Sequence, residues 1–302
     1  MQNTFKRKPL STILNCLVLG IAGGAANAQQ QESSFFEEIT IIGAQENVDR
    51  ITGSAHFIGP QQLEQFSYSD IQRISREIPG VSIQIEDGFG LRPNISIRGV
   101  TTERSSRITL LEDNVLIAPA PYAAPAAYYF PTAGRMYAFE VVKGPSAITQ
   151  GPYTIGGALN MVSTPIPTEM QGNLMLEGGE FATWRLHGTY GGYNDQGLGF
   201  LLETHQWQSD GYQDIDRSGN DTGLDLKDYT AKLAYAPPGS RHKAELKLQY
   251  TDQDSNQSYL GLSDADFQQD PYRRYGVSAL DNIATEHKQA ILRYEFQANN
   301  NL

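Results

Sequence analysis

Apolar and polar residues alternate with a period of two through much of the second half of the chain, from about residue 171. In the run 243–251, Ala244, Leu246, Leu248 and Tyr250 share one face, and every other position is polar. Because successive side chains of a β-strand point to opposite faces, this pattern predicts strands with one apolar and one polar face. Each run has about ten residues, the length that a tilted strand needs to cross a bilayer. The pattern recurs at Trp184, Leu186 and Tyr190, at Tyr229, Ala231, Leu233 and Tyr235, and at Ala290, Leu292, Tyr294 and Phe296.

The connections between the six strands that we predict alternate in length. The second and fourth links, 193–197 and 237–240, are short, whereas the third and fifth, about 209–225 and 252–286, are long. Only the first link on the long side, around 178–180, is short. Bacterial outer-membrane barrels have short periplasmic turns and long outer loops. The link lengths therefore favour a transmembrane barrel over the alternative, a soluble all-β domain.

The number of predicted strands is too small for a closed barrel. The smallest barrels of this class need about eight strands. Residues 299–302, Asn-Asn-Asn-Leu, have the composition of a turn and not that of a terminal strand. We therefore expect residues 167–302 to form an incomplete barrel, and the chain to be truncated.

The first half has a different pattern, which predicts one compact mixed domain over residues 48–166. Residues 69–78 have apolar positions at helical spacing and stop at Pro79-Gly80. Four prolines lie between Pro119 and Pro131 and are interleaved with aromatic residues, which predicts a stiffened loop. Short alternating runs predict strands at 81–85, 95–97, 107–111 and 139–142.

The N-terminus has the pattern of a secretory signal peptide. Lys6, Arg7 and Lys8 precede an apolar run over about 10–22 and then Ala26-Asn27-Ala28, so residues 1–28 would be removed. The apolar run is shorter than the roughly 20 residues of a spanning helix. Residues 29–47 would then form a flexible tail, in which 38–44 are β-prone. These could add a strand to a partner's sheet or form the first strand of the domain.

Composition and charge exclude several classes of function. The formal net charge is −11, with 34 acidic residues, which disfavours nucleic acid as a partner. The one cysteine, Cys16, lies in the predicted signal peptide, so we expect no disulfide. No nucleophile and base stand out, so we expect neither an enzyme nor a bound cofactor. The histidines have no spacing typical of a metal site: His56, His187, His205, His242 and His287.

The order of these segments and several motifs resemble the TonB-dependent outer-membrane receptors. Residues 38–44, Glu-Ile-Thr-Ile-Ile-Gly-Ala, are similar to the TonB box. The sequences at 77–81, 95–99, 139–146 and 151–160 resemble motifs of the plug domain, among them Phe-Glu-Val-Val-Lys-Gly-Pro-Ser. Within the family, Ala118 to Tyr122, Arg135-Met136, 259–267 and 271–275 resemble the ferric citrate receptors.

The resemblance implies an α+β plug followed by about the first six antiparallel strands of a transmembrane β-barrel that has about 22 in the complete family. It also implies energy-gated import of ferric citrate or another iron siderophore across the bacterial outer membrane. The expected partners are TonB of the TonB-ExbB-ExbD complex, the iron chelate and outer-membrane lipid. The short tail leaves no room for a signalling domain, so we expect transport and not transcriptional signalling. The residues expected to pair with TonB are Glu38, Ile39, Thr40, Ile41 and Ile42.

An anionic iron chelate would need guanidinium or hydroxyl donors on outward-facing loops. We assign Arg98 a structural role, since an arginine at a strand end that holds plug to barrel wall needs a buried carboxylate. Two other functions remain open: the same transporter for a cobalamin, a sugar or another chelate, and a structural or adhesive outer-membrane protein without gating. The candidate ligand contacts are Arg104, Arg107, Tyr122, Gln150, Tyr153, Arg273 and Arg274.

Overall fold

A computed structural model describes residues 40–117, 129–151 and 154–298. Several predictions lie outside these residues and are not tested: the signal peptide, Glu38, Ile39, Tyr122, Tyr153 and the residues 299–302.

The first half contains a mixed five-stranded sheet. Its order is β1-β6-β7-β4-β5, in which β4 and β7 are parallel and the other neighbours antiparallel, while β2 and β3 form a separate hairpin. The strands of this half are β1 (Ser54–Ile58), β2 (Val81–Gln84), β3 (Asn94–Ile97), β4 (Ile108–Glu112), β5 (Val115–Leu116), β6 (Met136–Lys143) and β7 (Gly157–Ser163). The four strands predicted here are present, whereas β1, β5 and β7 were not predicted.

The helices are short. The α-helices are α1 (Pro60–Phe66), α2 (Ile71–Ser75) and α3 (Asp264–Gln269). The Asp70 carboxylate caps α2 by accepting a 2.7 Å hydrogen bond from the Gln72 amide. The helix is shorter than the predicted 69–78 because residues 76–79 already turn toward β2. Within the described part of the chain, no helix is long and apolar enough to span a membrane.

The main apolar core lies between the mixed sheet, α2 and the β2–β3 hairpin. Ile71, Ile74 and Ile78 follow one another at helical spacing and are buried together with Phe139 of β6. The strands add alternate or consecutive buried residues to the same cluster: Ile95, Ile97, Ile108, Leu110, Val141, Leu159 and Met161.

The second half is a six-stranded antiparallel sheet of order β8-β9-β10-β12-β13-β15. The short links are 194–197 and 236–241, and the long ones are 210–223 and 256–282, which confirms the predicted alternation. The sheet has free edges at β8 and β15 and is not closed within the described residues. Its strands are β8 (Gln171–Gly178), β9 (Trp184–Tyr193), β10 (Leu198–Ser209), β12 (Leu224–Tyr235), β13 (His242–Ser255) and β15 (Ile283–Phe296), and the loop strands β11 (Asp214–Ile215) and β14 (Arg273–Arg274) pair with each other.

In this sheet the apolar face is exposed and the polar face is buried, the reverse of a soluble sandwich. Leu233 and Leu292 of the apolar face are 57% and 73% exposed, whereas the polar Asp228 and Lys247 are 0% and 3% exposed. The polar face covers the first half of the chain, and the apolar face points away from it. This arrangement is typical of a barrel wall with a polar interior and a lipid-facing exterior. We call this sheet the wall and the first half the plug.

Candidate functional site

The N-terminal end of the described chain lies against the plug without forming a strand. Residues 40–44 contain bends at 41, 42 and 44 and are followed by a 3-10 helix, Gln45–Arg50. Their contacts are with the Glu140 carboxylate, to which the amides of Ile41, Ile42 and Gly43 donate hydrogen bonds of 2.7, 2.9 and 2.7 Å. The domain's first strand is therefore Ser54–Ile58, and the described part of 38–44 is not that strand.

A buried network of charges joins the plug to the wall. The Arg135 guanidinium lies 2.9 Å from Glu112 Oε1 and 3.0 Å from Asp228 Oδ2 of β12. Lys247 Nζ of β13 lies 2.5 Å from Glu112 Oε1 and 2.6 Å from Asp113 Oδ2. All five side chains are nearly inaccessible to water. Each charge is therefore stabilised by its oppositely charged neighbours in place of water.

The network favours the charged forms of Arg135 and Asp113. Burial alone would lower the pKa of Arg135, but Asp228 and Glu112 outweigh it and raise this pKa well above its usual value. Burial would likewise raise the pKa of Asp113, but Lys247 and Lys232 hold it well below its usual range. Arg135 and Asp113 thus carry opposite charges at neutral pH.

Hydroxyl and ring contacts extend this interface on both sides of the network. Thr132 Oγ1 donates to Asp228 Oδ2 at 2.7 Å, and Thr164 Oγ1 donates to Glu203 Oε1 at the same distance. The Tyr129 ring stacks on that of His287 with 3.8 Å between centroids. The plug therefore contacts β10, β12, β13 and β15 through polar groups, as the polar face of the wall requires.

Arg98 does not make the buried ion pair that we expected. Its side chain is exposed, with φ +56, and it lies next to Gly144 and close to Lys143. No carboxylate pairs with it among the residues that the structure describes. The expectation of a buried partner is wrong for these residues, because the arginine that enters the plug–wall boundary is Arg135.

The loop between β2 and β3 forms the end of the plug that faces the long loops of the wall. The Asp87 carboxylate shapes this loop by accepting hydrogen bonds from the amides of Phe89, Leu91 and Arg92. The Phe89 ring packs edge-on against Trp207 with 5.4 Å between centroids. We call residues 86–92 and 103–105 the apex.

Two arginines lie close together at the apex. Arg104, a predicted ligand contact, has φ +50, and its Nη1 lies 2.5 Å from Glu86 Oε2. Arg92 was not predicted, since an isolated Arg-Pro dipeptide gives no signal in the sequence. Its Nε and Nη2 are buried without a hydrogen-bond partner among the described residues. Burial lowers the pKa of Arg92; the charge of Asp87 opposes this shift, and that of Arg104 adds to it. The apex thus has an unsatisfied cation suited to an anion.

Among the described residues, no contact links Arg107 or Gln150 to the apex. Arg107 is exposed just before β4. Gln150 ends the 3-10 helix Pro145–Gln150, which contacts Thr52 through Ser146. That helix packs beside the N-terminal part of the plug, so Gln150 is not grouped with Arg104 by any described contact.

Arg273 and Arg274 organise the outer loops instead of offering free donors. Arg273 donates to both carboxylate oxygens of Asp216 and to Asp266 Oδ1 at 2.7 Å. Arg274 is 3% exposed and donates to Ser278 and to the Asn256 carbonyl. In this arrangement the Arg274 guanidinium is buried and carboxylates accept from the Arg273 donors, so the described contacts do not support these two residues as ligand contacts, and their assignment stays a prediction. Within the described chain, no three His, Cys, Asp or Glu residues form a metal cluster.

Comparison with known proteins matches part of the first half of the chain to a family model. Residues 47–158 match the TonB-dependent Receptor Plug Domain. The chain is 22% identical over 173 residues to the vitamin B12 transporter BtuB of Photobacterium profundum, a match that covers 57% of this chain and 28% of the transporter. The corresponding protein of Vibrio vulnificus is 23% identical over 138 residues, which is 46% of this chain and 22% of that protein.

Solved structures of the same kind share the arrangement of plug and wall. The unliganded ferric citrate transporter FecA is 26% identical, with a TM-score of 0.68, over 85% of this chain and 39% of that chain. The ferric yersiniabactin uptake receptor FyuA of Yersinia pestis has the same fold at 16% identity, with a TM-score of 0.68, over 83% and 39%. The chain thus spans 39% of these two structures and 28% of the first transporter. These proteins are transporters and receptors. The chain is similar to TonB-dependent receptors: residues 47–158 match their plug domain, and six antiparallel strands of an unclosed barrel follow it.

Proposed function

We propose that this chain is part of a TonB-gated importer of an anionic iron chelate across the bacterial outer membrane. The observation that carries the proposal is the plug–wall network of Arg135, Glu112, Asp228, Asp113 and Lys247. A plug that is tied to the inner face of its wall by buried charges blocks passage when no force acts on it. Import of a large solute then needs energy from a partner, and residues 38–42 are the segment that we assign to contact TonB by strand addition.

The apex supports an anionic cargo. Arg104 and the unsatisfied Arg92 lie together on the plug, and the long loops of the wall surround this end. Guanidinium groups are suited to carboxylates because they donate paired hydrogen bonds in a fixed plane. The ferric citrate transporter among the similar structures is named for a cargo of this chemistry. A cobalamin is the second candidate, because the two curated relatives reported above are vitamin B12 transporters.

The function is tested by uptake of radiolabelled iron as its citrate complex into cells that carry the complete gene product. We expect uptake to require both TonB and residues 38–44. Deletion of 38–44 should abolish uptake, and the matched control is deletion of an equal length of tail just before this segment. Unchanged uptake after the first deletion would support the ungated, adhesive alternative. Uptake of labelled cobalamin but not of ferric citrate would favour the second cargo.

Replacement of Arg104 by glutamine should weaken binding of ferric citrate to the cell surface. Loss of a hydrogen bond to a charged group costs about 1.5–3 kcal/mol, so we expect the Kd to rise about tenfold to a hundredfold. Arg241→Gln is the matched control, because Arg241 is exposed in a short turn at the other end of the wall. Equal affinities for the two variants would remove Arg104 from the ligand site.

A further inference from the structure

Glu140 is a carboxylate in the middle of the plug that none of the functions above explains. It lies on β6 and is 0% exposed. Its Oε1 accepts from the amides of Ile42 and Gly43, and its Oε2 accepts from the amide of Ile41 and from Asn160 Nδ2 at 2.9 Å. All four of these donors are neutral, and three of them belong to the N-terminal segment. The buried charge is therefore stabilised mainly by a backbone that is not part of the plug sheet.

The segment is shaped to surround this carboxylate. Gly43 has φ +81, where a Cβ would be strained and would lie 3.0 Å from Thr40 Oγ1. This left-handed residue lets three successive amides converge on one anion, as in other backbone nests. Ile42 adds an apolar contact, since it is 4% exposed and packs with Val142, Ala147 and Ala158.

We propose that Glu140 is an internal latch that holds residues 41–43 on the plug until its carboxylate is given other donors. Departure of the segment would leave a buried charge with Asn160 as its one remaining described partner. Such a state is strongly unfavourable, so the carboxylate draws the segment back. That the latch controls when TonB can bind rests on the proposed function, because it assumes that 38–42 are the segment that TonB binds.

Asn160 is a positioning residue that connects the latch to the plug–wall boundary. Its Nδ2 donates to Glu140, and its Oδ1 accepts at 2.9 Å from the amide of Asn114, in the turn between β4 and β5. The preceding residue of that turn, Asp113, is the one that Lys247 of the wall contacts. A shift of this turn would withdraw Asn160 from Glu140 and change the number of donors that the latch retains.

The test is the rate at which a maleimide reagent labels a cysteine at position 42. The parent protein is the complete gene product with Cys16→Ser and Ile42→Cys, in which the new thiol takes a buried position. Glu140→Gln puts an NH₂ group among four donors, so at least one of their hydrogen bonds must be lost. We expect labelling to be about tenfold faster or more, as the loss of one hydrogen bond to a charged group implies. Glu46→Gln is the matched control, because Glu46 is exposed in the same part of the chain.

Gly43→Ala opens the latch from the other side and does not alter the plug sheet. It should also speed labelling, and it decides the matter if Glu140→Gln fails to fold. Labelling of Gly43→Ala at the parent rate would overturn the latch, whether Glu140→Gln labels at that rate too or does not fold.

A second measurement separates the latch from the TonB assignment. Capture of the same variants by the purified periplasmic domain of TonB should rise with the labelling rate. Faster labelling without more capture would support the latch and overturn the assignment of 38–42 to TonB.

Discussion

Replacement of Ile41 by proline should reduce uptake to the background level while binding of the chelate at the cell surface stays unchanged. Proline has no amide hydrogen and cannot donate within a β-ladder, so it interrupts pairing of this segment with a partner strand. In the plug, the same change removes the 2.7 Å hydrogen bond from Ile41 to Glu140. The apex is formed by other residues, so affinity for the chelate should not depend on this position. Uptake and surface binding of labelled iron are measured on the same cells.

The control for this experiment is Ile41→Ala, which keeps the amide and removes most of the side chain. Because strand addition takes its affinity from the backbone, we expect Ile41→Ala to retain most of the uptake. Normal uptake by Ile41→Pro would exclude strand pairing at this residue. Equal loss in both variants would show instead that the isoleucine side chain is what the partner recognises.

Replacement of Arg135 by methionine should destabilise the protein by about 3–5 kcal/mol, the usual cost of breaking a buried ion pair from one side. Methionine fills a similar volume but leaves Asp228 with two hydroxyl groups as its side-chain partners among the described residues, while Glu112 keeps Lys247. The free energy of unfolding is measured by urea titration of the purified protein in detergent. Arg73→Met is the control, because the Arg73 side chain is 65% exposed and its Nε lies 3.9 Å from Asp70 Oδ2. It should change the free energy by less than about 0.5 kcal/mol.

A second variant shows whether the loss of stability in Arg135→Met arises from the unpaired charge of Asp228. Arg135→Met combined with Asp228→Leu removes both members of one pair, and the double variant should be more stable than Arg135→Met alone. The destabilisation of the double variant is compared with the sum of those of Arg135→Met and Asp228→Leu. If it equals this sum, Arg135 and Asp228 are not coupled, and the network does not join plug to wall in the way that the distances suggest.

The wall was predictable from the sequence, whereas much of the plug was not. Alternation at Leu246, Leu248 and Tyr250 survives in the structure because one face of each strand meets the plug and the other is exposed. Because the two faces of each strand have different surroundings, apolar and polar residues alternate along its sequence. β7 was missed because all of its residues are buried, so its run of Gly157–Ser163 shows no alternation. β5 has two residues, too few for a pattern, and β1 was missed because its first four residues are all half-buried and do not alternate.

The same contrast holds for the candidate site. Arg104, Arg273 and Arg274 were predicted because a basic residue in a loop is visible in the sequence. The sequence does not show that Asp216 and Ser278 accept hydrogen bonds from the last two. Arg92 was missed because the absence of a hydrogen-bond partner is a property of packing.

By itself the sequence predicted the succession of plug and wall, the direction of the wall strands and the position of the segment that resembles a TonB box. These depend on local patterns, motif order and loop lengths, which are all readable along one chain. Only the tertiary structure decided that Arg135 and not Arg98 enters the plug–wall boundary, and that Glu140 is paired with amides 98 residues away at Ile42. The reason is physical: a buried charge takes whichever partners the fold brings to it, and those partners are distant in sequence.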